Sequence, residues 1–396
     1  MHLYLHIPFC SSFCSYCGFY SVKLLSMREK YVEALCREIE HEGGCSQWSQ
    51  DKRSAGTVYI GGGTPSVLTI RQLGKIIDTI RKHFPLSAPQ EFTIEVNPDD
   101  VTPEYASGLK KLPVNRISMG VQSFHDSALK WMNRRHTADK AREAFNTLRC
   151  CGFENISLDL IFGYASLSEQ MWKEDLEQIC TLAPEHVSAY QMSIEPGSAT
   201  AAMAHRGEKV IHSPQKCALQ YSMLQNILKE KGYFQYEISN FAKKGNDGSL
   251  MKALHNSSYW SGEPYLGLGP GAHSYSGILH GCKGLHAIRR WNLPSVKRYC
   301  SHFSPSGEKK TELPVSGSEH LGITDIFNET IMLRLRTRQG LDLNSLKEIS
   351  TPLFAETLPR IEKMVENGEL LSDGGKIRIP PEKLFVSDGI IRDLFI

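Results

Sequence analysis

Residues 6–21 read HIPFCSSFCSYCGFYS and place three cysteines, Cys10, Cys14 and Cys17, within eight positions. They directly follow LYLHI (3–7), a short apolar run typical of a buried β-strand. A loop that leaves the end of a strand can fold back on itself and bring three closely spaced thiols together. The stretch therefore predicts a strand followed by a thiolate-rich ligand loop near the start of the chain.

The C-x3-C-x2-C spacing suits the iron of a [4Fe–4S] cluster, because cluster iron prefers thiolate sulfur. Three protein ligands for four irons leave one iron open to a small molecule. The alternative is a structural zinc site completed by His2 or His6. Structural zinc usually takes four ligands in two separated pairs, and no second C-x-x-C pair follows in the sequence.

Strand and helix patterns alternate through the first two-thirds of the chain, which is typical of parallel strands joined by crossover helices. The predicted strands are 3–7, 57–60, 91–98, 116–124, 155–163 and 186–194. The predicted helices between them are 27–43, 69–83, 103–112, 125–132, 138–151 and 168–182.

Unusual residues lie at or near the ends of these strands: the cysteines, GGGTP (61–65), Glu95 with Asn97, Gln122, and Asp159. Functional side chains at the carboxyl ends of many successive strands are typical of a barrel. A doubly wound sheet concentrates them at one switch point instead. The sequence therefore predicts an α/β fold with an incomplete (β/α)6 barrel.

After Pro214 the pattern changes to a long helix (215–231) and an aromatic, glycine-rich segment, HNSSYWSGEPYLGLGPGAHSYS (255–276). The Ser-, Pro- and Lys-rich stretch 301–317 predicts a linker. Three helical patterns, 319–336, 342–349 and 353–367, then precede a hairpin-like pair around 372–376, which is typical of a small winged-helix-like domain. We predict a barrel, a barrel extension with the linker, and this C-terminal domain, at 1–214, 215–317 and 318–396.

Forty-five basic residues against 43 acidic residues give a formal net charge of +2. This balance argues against a nucleic-acid partner, because a dedicated binder has a clearly basic surface. The recognition-helix candidate of the C-terminal domain, PLFAETLPRIEKMVENGEL (352–370), is mixed in charge, whereas a phosphate-binding helix is basic. We expect this domain to act as a lid or docking module over the barrel mouth.

No run of about eighteen apolar residues occurs, so we expect no integral membrane segment. The start, MHLYLHIPFC, lacks the basic and apolar regions of an export signal. An odd total of eleven cysteines without such a signal indicates free thiols and a cytoplasmic location. The eight cysteines outside the loop are interpreted as packing residues: Cys36, Cys45, Cys150, Cys151, Cys180, Cys217, Cys282 and Cys300.

Five motifs, YLHIPFC, GGGTP, IEVNP, MGVQSF and DLIFG, occur in this order. Together with the cysteine spacing they resemble the oxygen-independent coproporphyrinogen III oxidase-like family of radical-SAM proteins. The resemblance runs through almost the whole chain, including the C-terminal domain. It implies a [4Fe–4S] cluster on Cys10, Cys14 and Cys17, with S-adenosylmethionine (SAM) bound to the open iron.

The family resemblance also implies a set of SAM-binding residues. Glu95 would meet the methionyl end of SAM, and Arg134, in preference to its neighbour Arg135, would pair with the carboxylate. Gln122 and Asp159 would hydrogen-bond the ribose. The remaining members are Tyr4 and Tyr16 beside the cluster and adenine, and Gly62, Gly63 and Thr64, whose loop suits close backbone approach to a ligand.

Two departures separate this chain from the dehydrogenases of the family. Phe19 stands where their cluster motif has a fourth cysteine, and the chain begins only nine residues before Cys10. Both features resemble the haem-chaperone branch. That branch implies haem as bound cargo, delivery to respiratory haem proteins, a possible homodimer, and a loss of dehydrogenase activity.

The segment HNSSYW (255–260) resembles a motif of the same branch. Imidazole is the commonest axial ligand of haem, and aromatic rings can stack on a porphyrin. His255, Tyr259 and Trp260 are therefore haem candidates, and His273 is a second candidate ligand. The alternative is that His255 caps a helix or packs within an aromatic cluster.

Two other functions stay open from the sequence. One is coproporphyrinogen III dehydrogenase, which makes protoporphyrinogen IX by radical oxidative decarboxylation of two propionates and uses the same SAM residues. The other is a radical-SAM enzyme with an unrelated substrate.

Overall fold

The computed structural model describes residues 1–44, 56–84, 91–281, 284–304 and 315–396. Six parallel strands form the centre of the fold and pair in chain order. They are β1 (His2–Ile7), β2 (Thr57–Gly62), β3 (Glu91–Val96), β4 (Arg116–Gln122), β5 (Ile156–Phe162) and β6 (His186–Gln191). The crossover helices are α1 (Arg28–Gly44), α2 (Ile70–His83), α3 (Pro103–Lys110), α4 (Asp126–Trp131), α5 (Ala138–Cys150) and α6 (Glu169–Leu182).

Side-chain alternation sets the two faces of this sheet. In β1, Leu3, Leu5 and Ile7 are fully buried in the main apolar core. His2, Tyr4 and His6 point to the opposite face, where their rings contact those of other strands and of residues 254–260. The outer face therefore packs on helices, and the inner face is polar and aromatic.

Further strands extend both edges of the sheet. β9 (Tyr265–Leu268) pairs parallel to β1, and β8 (Asn240–Ala242) pairs antiparallel to β6. Because β1 and β6 pair with these strands instead of with each other, the barrel is incomplete, as predicted. The other strands are β7 (Phe234–Gln235), β10 (His273–Tyr275), β11 (Leu279–Gly281), β12 (Gly284–Asn292) and β13 (Val315–Leu321). The helices of this region are α7 (Ala199–His205), α8 (Pro214–Glu230), α9 (Leu254–Trp260) and α10 (Val296–His302).

The predicted linker and the helix after it differ from the structure. α10 extends to His302, and β13 begins at Val315 and pairs with β12, so both ends of 301–317 are structured. Residues 305–314 lie outside the described ranges. Glu319 and His320 belong to the β12–β13 ladder, which is why the helix predicted from 319 begins only at Ile323. The domain division at 214 and 317 stays a prediction.

The C-terminal part has winged-helix order. It comprises α11 (Ile323–Leu335), β14 (Leu341–Asp342), α12 (Leu343–Ile349), α13 (Thr351–Glu366), β15 (Leu371–Asp373), β16 (Lys376–Arg378) and α14 (Ser387–Arg392). Short 3-10 helices occur at Leu25–Met27, Pro65–Val67, Pro98–Asp100 and Pro381–Val386. No helix in the described ranges is long and apolar enough to cross a membrane.

The winged-helix part packs at the amino ends of the barrel strands. Nη2 of Arg334 donates to the carbonyl of Ser261 at 2.9 Å, and the Arg338 amide donates to the carbonyl of Tyr236 at 3.0 Å. The Tyr236 hydroxyl in turn contacts His186, the first residue of β6, at 2.8 Å. The cysteine loop lies at the opposite end, so the predicted position over the barrel mouth is wrong.

The described cysteines are all free thiols. Outside the loop, Cys36 and Cys217 are buried as predicted for packing residues, whereas Cys150 is exposed. Cys45 and Cys282 lie outside the described residues.

Candidate functional site

The cysteine loop is closed at its base by main-chain pairing. The Cys10 amide donates to the carbonyl of Val22 at 3.1 Å, and the Val22 amide donates to the carbonyl of Pro8 at 2.7 Å. The loop between these residues therefore leaves and re-enters the structure at the carboxyl end of β1.

Neighbouring loops hold the cysteine loop from the side. The Ser15 amide donates to the carbonyl of Met132 at 3.0 Å, and Nδ2 of Asn133 donates to the carbonyl of Phe13 at 2.6 Å. The Thr200 amide donates to the carbonyl of Ser15 at 2.9 Å. Groups from two other parts of the chain thus fix the loop over the open end of the barrel.

A cavity of about 1120 Å³ lies beneath the loop, inside the barrel. Its wall includes most of the residues predicted for the cluster and SAM: Cys10, Cys14, Cys17, Tyr16, Gly62, Gly63, Thr64, Glu95, Gln122, Arg134 and Asp159. Five predicted residues are not on this wall: Tyr4, His255, Tyr259, Trp260 and His273. Tyr4 instead places its hydroxyl 3.0 Å from Nδ1 of His6.

Each of two cysteines has a polar neighbour. The Thr64 hydroxyl contacts Sγ of Cys10 at 3.5 Å, and Nη1 of Arg134 contacts Sγ of Cys14 at 3.4 Å. Burial raises the pKa of Cys17 to about 11 and also raises the pKa of Cys10. These two thiols are therefore protonated near neutral pH until a metal displaces the proton. Within the described ranges, no three His, Cys, Asp or Glu side chains are placed to bind a single metal ion.

Glu95 lies on the inner face of β3. The Tyr59 hydroxyl donates to its Oε1 at 2.7 Å, and the Gly62 amide donates to its Oε2 at 3.1 Å. Burial, with a smaller contribution from the charge of Asp159, raises the pKa of Glu95 to about 7. Glu95 is thus a half-buried cavity carboxyl with a pKa raised to about 7.

The GGGTP glycines permit close packing against β1. Gly62 has a φ of +111°, and its added Cβ would lie 2.6 Å from Nδ1 of His6. A Cβ on Gly63 would lie 2.8 Å from the carbonyl oxygen of Phe9, and the Gly63 amide donates to the carbonyl of Ile7 at 2.8 Å. Both amides are used within the protein, so these glycines place the loop against the base of the cysteine loop.

Arg134 and Arg135 have different surroundings. Arg134 is half-buried, donates from Nη2 to the carbonyl of Gly120 at 2.6 Å, and has a buried Nε without a hydrogen bond in the described structure. Arg135 pairs with Asp100 at 2.9 Å and with Asp99 at 3.6 Å. Arg134 is therefore the one with donor capacity left over for a ligand.

Gln122 is held in an uncommon backbone conformation. Its φ is +70°, and the β4–β5 register shifts between Gly120 and Gln122. Residues other than glycine rarely adopt a positive φ, and residues that do so cluster at functional sites. The bulge places Gln122 on the cavity wall.

Asp159 of β5 also lines the cavity. The Ser118 hydroxyl donates to its carboxylate at 3.3 Å, and burial raises the pKa of Asp159. Nearby Arg116, which is 1% exposed, also lines the cavity, and its Nε lies 3.9 Å from Oε2 of Glu91. Arg116 is not among the site residues predicted from the sequence, although its place at the start of an alternating strand is a signal that could identify it.

The HNSSYW segment forms α9, which packs at the amino ends of β2 and β3. Nδ1 of His255 lies 2.7 Å from the Thr57 hydroxyl, and its Nε2 lies 2.9 Å from the Tyr259 hydroxyl. The Glu91 carboxylate accepts from the His255 amide at 3.1 Å. Burial lowers the pKa of His255 to about 3, so the imidazole is neutral. Both ring nitrogens of His255 are thus bound within the protein, which agrees with the alternative that His255 is a packing residue.

Two family models match the chain. The Radical SAM superfamily matches residues 4–179, and the HemN C-terminal domain matches residues 324–386. The first spans β1 to β5 with the cysteine loop, and the second covers most of the winged-helix part.

Relatives match the chain along most of their own length. Heme chaperone HemW of Mycobacterium tuberculosis is 30% identical over 396 residues, which cover 99% of this chain and 94% of the relative. Heme chaperone HemW of Lactococcus lactis is 34% identical over 85% of this chain and 82% of its own length. The structure of coproporphyrinogen III oxidase (HemN) from Escherichia coli has a TM-score of 0.80 at 22% identity, covering 99% of this chain and 89% of that one. This last likeness concerns the fold.

Proposed function

This chain belongs to the HemW haem-chaperone family of radical-SAM proteins, and we propose that it binds haem as cargo and delivers it to haem-dependent respiratory proteins. The observation that carries the proposal is the likeness to HemW relatives along nearly their whole length. Phe19 supports it, because this side chain is 71% exposed at the cavity rim, where the dehydrogenases have a fourth cysteine.

The donor set of the cavity fits a [4Fe–4S] cluster with SAM. Cys10, Cys14 and Cys17 are free thiols on one loop and line one cavity, which suits three separate irons of a cluster. Arg134 offers an unpartnered buried Nε beside them, which suits an anionic ligand group. When bound, the cluster and SAM supply one-electron chemistry to the site.

The chain's own residues would orient SAM through polar contacts. Arg134 would hold the carboxylate, because its guanidinium is fixed by the Gly120 carbonyl and its buried Nε has no partner in the described structure. Glu95, whose pKa lies at about 7, would accept from the methionyl amine. Gln122 and Asp159, both on the cavity wall, would hydrogen-bond the ribose.

A haem titration of the anaerobically reconstituted protein tests the cargo role. We expect saturable haem binding in the Soret difference spectrum and transfer of that haem to an apo respiratory haem protein. We also expect no conversion of coproporphyrinogen III by the same preparation in the presence of SAM and a reductant. SAM-dependent release of carbon dioxide from coproporphyrinogen without haem binding would instead establish a dehydrogenase.

A further inference from the structure

The strands β10 and β12, which follow β9 on the side of the sheet away from β2, bring an imidazole and an indole together. His273 and Trp291 are cross-strand partners, and their rings stack with centroids 5.7 Å apart and planes 24° apart. A Cβ on Gly317 of β13 would lie 2.5 Å from Cζ2 of Trp291, so the glycine leaves room for the indole. The result is an aromatic platform, His273 on Trp291, that is open to solvent at His273.

This platform lies on the same face of the sheet as the barrel interior. The register pairs Tyr4 with Gly267 and Tyr265 with Tyr275, and cross-strand partners point to the same side. Since side chains two residues apart in a strand also share a face, His273 lies on the inner face. It therefore belongs to the same continuous surface as β1 and α9.

The inner-face histidines differ in whether a ring nitrogen is free. His2 contacts Thr57 and Glu263, both at 2.8 Å. His6 contacts the Tyr4 hydroxyl at 3.0 Å and the carbonyl of Tyr20 at 2.8 Å.

His255 is likewise bound at both nitrogens, by Thr57 and Tyr259. The ring of His273, in contrast, makes no hydrogen bond to any of the residues that the structure describes. Partial burial and the charge of Arg289 lower its pKa, so the exposed imidazole is neutral at physiological pH and keeps a lone pair for a metal.

We propose that His273, and not His255, provides the axial ligand to haem iron, with Trp291 fixing the orientation of the imidazole. This inference rests on the proposed function, because it names the binding residue for the haem cargo. It places the cargo at an exposed side chain on the inner face of the sheet, where haem can enter and leave without unfolding α9. A delivery protein requires an exposed axial residue, because the recipient must reach the bound haem.

Ferric haem titrations of cluster-loaded wild type, His273→Ala, His255→Ala and His280→Ala test this assignment. Difference spectra against the same protein without haem remove the absorption of the cluster, and electron paramagnetic resonance reports the axial ligand. We expect His273→Ala to lose the imidazole-ligated spectrum and to bind haem roughly tenfold more weakly or worse. Added free imidazole should restore the spectrum. His280 is exposed on β11 and is the matched control, with the wild-type spectrum expected.

The outcomes separate the two proposals. A wild-type spectrum and affinity in His273→Ala would overturn the ligand assignment while leaving the haem-chaperone function in place. Loss of imidazole ligation in His255→Ala alone would also overturn it, in favour of a rearranged α9. Failure of the wild type to bind haem would overturn the proposed function and the assignment together. The melting temperature of each variant, measured without haem, distinguishes ligand loss from unfolding.

Discussion

The Thr57 hydroxyl lies 2.7 Å from Nδ1 of His255 and 2.8 Å from Nδ1 of His2, so a single hydroxyl joins two imidazoles. A hydroxyl has one proton, so it donates to one ring and accepts from the other. Nε2 of His2 contacts Glu263, and Nε2 of His255 contacts Tyr259. An arrangement with both rings neutral satisfies every contact: Tyr259 donates to His255, His255 to Thr57, Thr57 to His2, and His2 to Glu263. This series of hydrogen bonds connects α9 to β1 and β2.

We expect His255→Ala to lower the free energy of unfolding by about 2–4 kcal/mol, because it leaves a cavity and removes one hydrogen-bond partner from each of the Thr57 and Tyr259 hydroxyls. Urea unfolding followed by circular dichroism measures the change. Thr57→Ser keeps the hydroxyl and should cost less than His255→Ala. Equal stability of His255→Ala and wild type would contradict a structural role for the histidine.

A second prediction concerns Glu38, a buried carboxyl on α1. Its Oε2 accepts from the Gly269 amide at 2.6 Å and from the Tyr299 hydroxyl at 2.5 Å, and Oε1 accepts from Nδ2 of Asn292 at 2.6 Å. Burial nevertheless raises the pKa of Glu38 from 4.5 to about 7. Because the folded pKa lies above the unfolded value, Glu38 contributes stability that is fully present below pH 4.5 and is lost as pH rises through 7.

Between pH 5 and pH 8, wild type should therefore lose up to about 3 kcal/mol of stability relative to Glu38→Gln. Glutamine keeps the shape and the acceptor but does not titrate. Urea unfolding of both proteins at the two pH values measures the difference. Glu40→Gln, at an exposed position of the same helix, is the control and should follow wild type. Parallel pH dependence of Glu38→Gln and wild type would refute a raised pKa.

A third prediction concerns Gly63, whose added Cβ would lie within 3.0 Å of three backbone atoms of Ile7 and Phe9. Backbone cannot move aside as a flexible side chain can, so Gly63→Ala should displace the base of the cysteine loop. We expect a large loss of iron bound per chain after reconstitution, measured by iron and sulfide analysis. Gly74→Ala is the control, because its nearest neighbour would lie 3.9 Å away. Wild-type iron content in Gly63→Ala would show that the loop tolerates the shift.

The barrel could be predicted from the sequence because its signals are local. Apolar alternation marked β1 to β6, and a cysteine, glycine or polar motif marked the carboxyl end of most of them. The strand β13 was missed because its pairing with β12 is a tertiary contact. Its residues VSGSEHL lack the β-branched and aromatic pattern of an independent strand.

The role of the HNSSYW segment also depends on distant residues. Thr57 is 198 positions from His255, and nothing near 255 in the sequence indicates that both ring nitrogens are bound. The exposure of His273 is set in the same way by the register of β10 on β12. A histidine beside aromatic residues is thus recognisable from sequence, whereas the availability of its nitrogens is a property of the fold.

The last prediction separates two adjacent arginines. Arg134 contacts Sγ of Cys14 and the carbonyl of Gly120, whereas Arg135 is bound to Asp99 and Asp100. If Arg134 holds the carboxylate of SAM, Arg134→Gln leaves that charge without its partner in a buried site. SAM affinity of the cluster-loaded protein should then fall by roughly 30-fold or more, which corresponds to about 2 kcal/mol.

Arg135→Gln should change the SAM affinity by much less, since Arg135 already has acidic partners. Equilibrium dialysis with labelled SAM measures both variants, and a larger loss in Arg135→Gln would reverse the assignment.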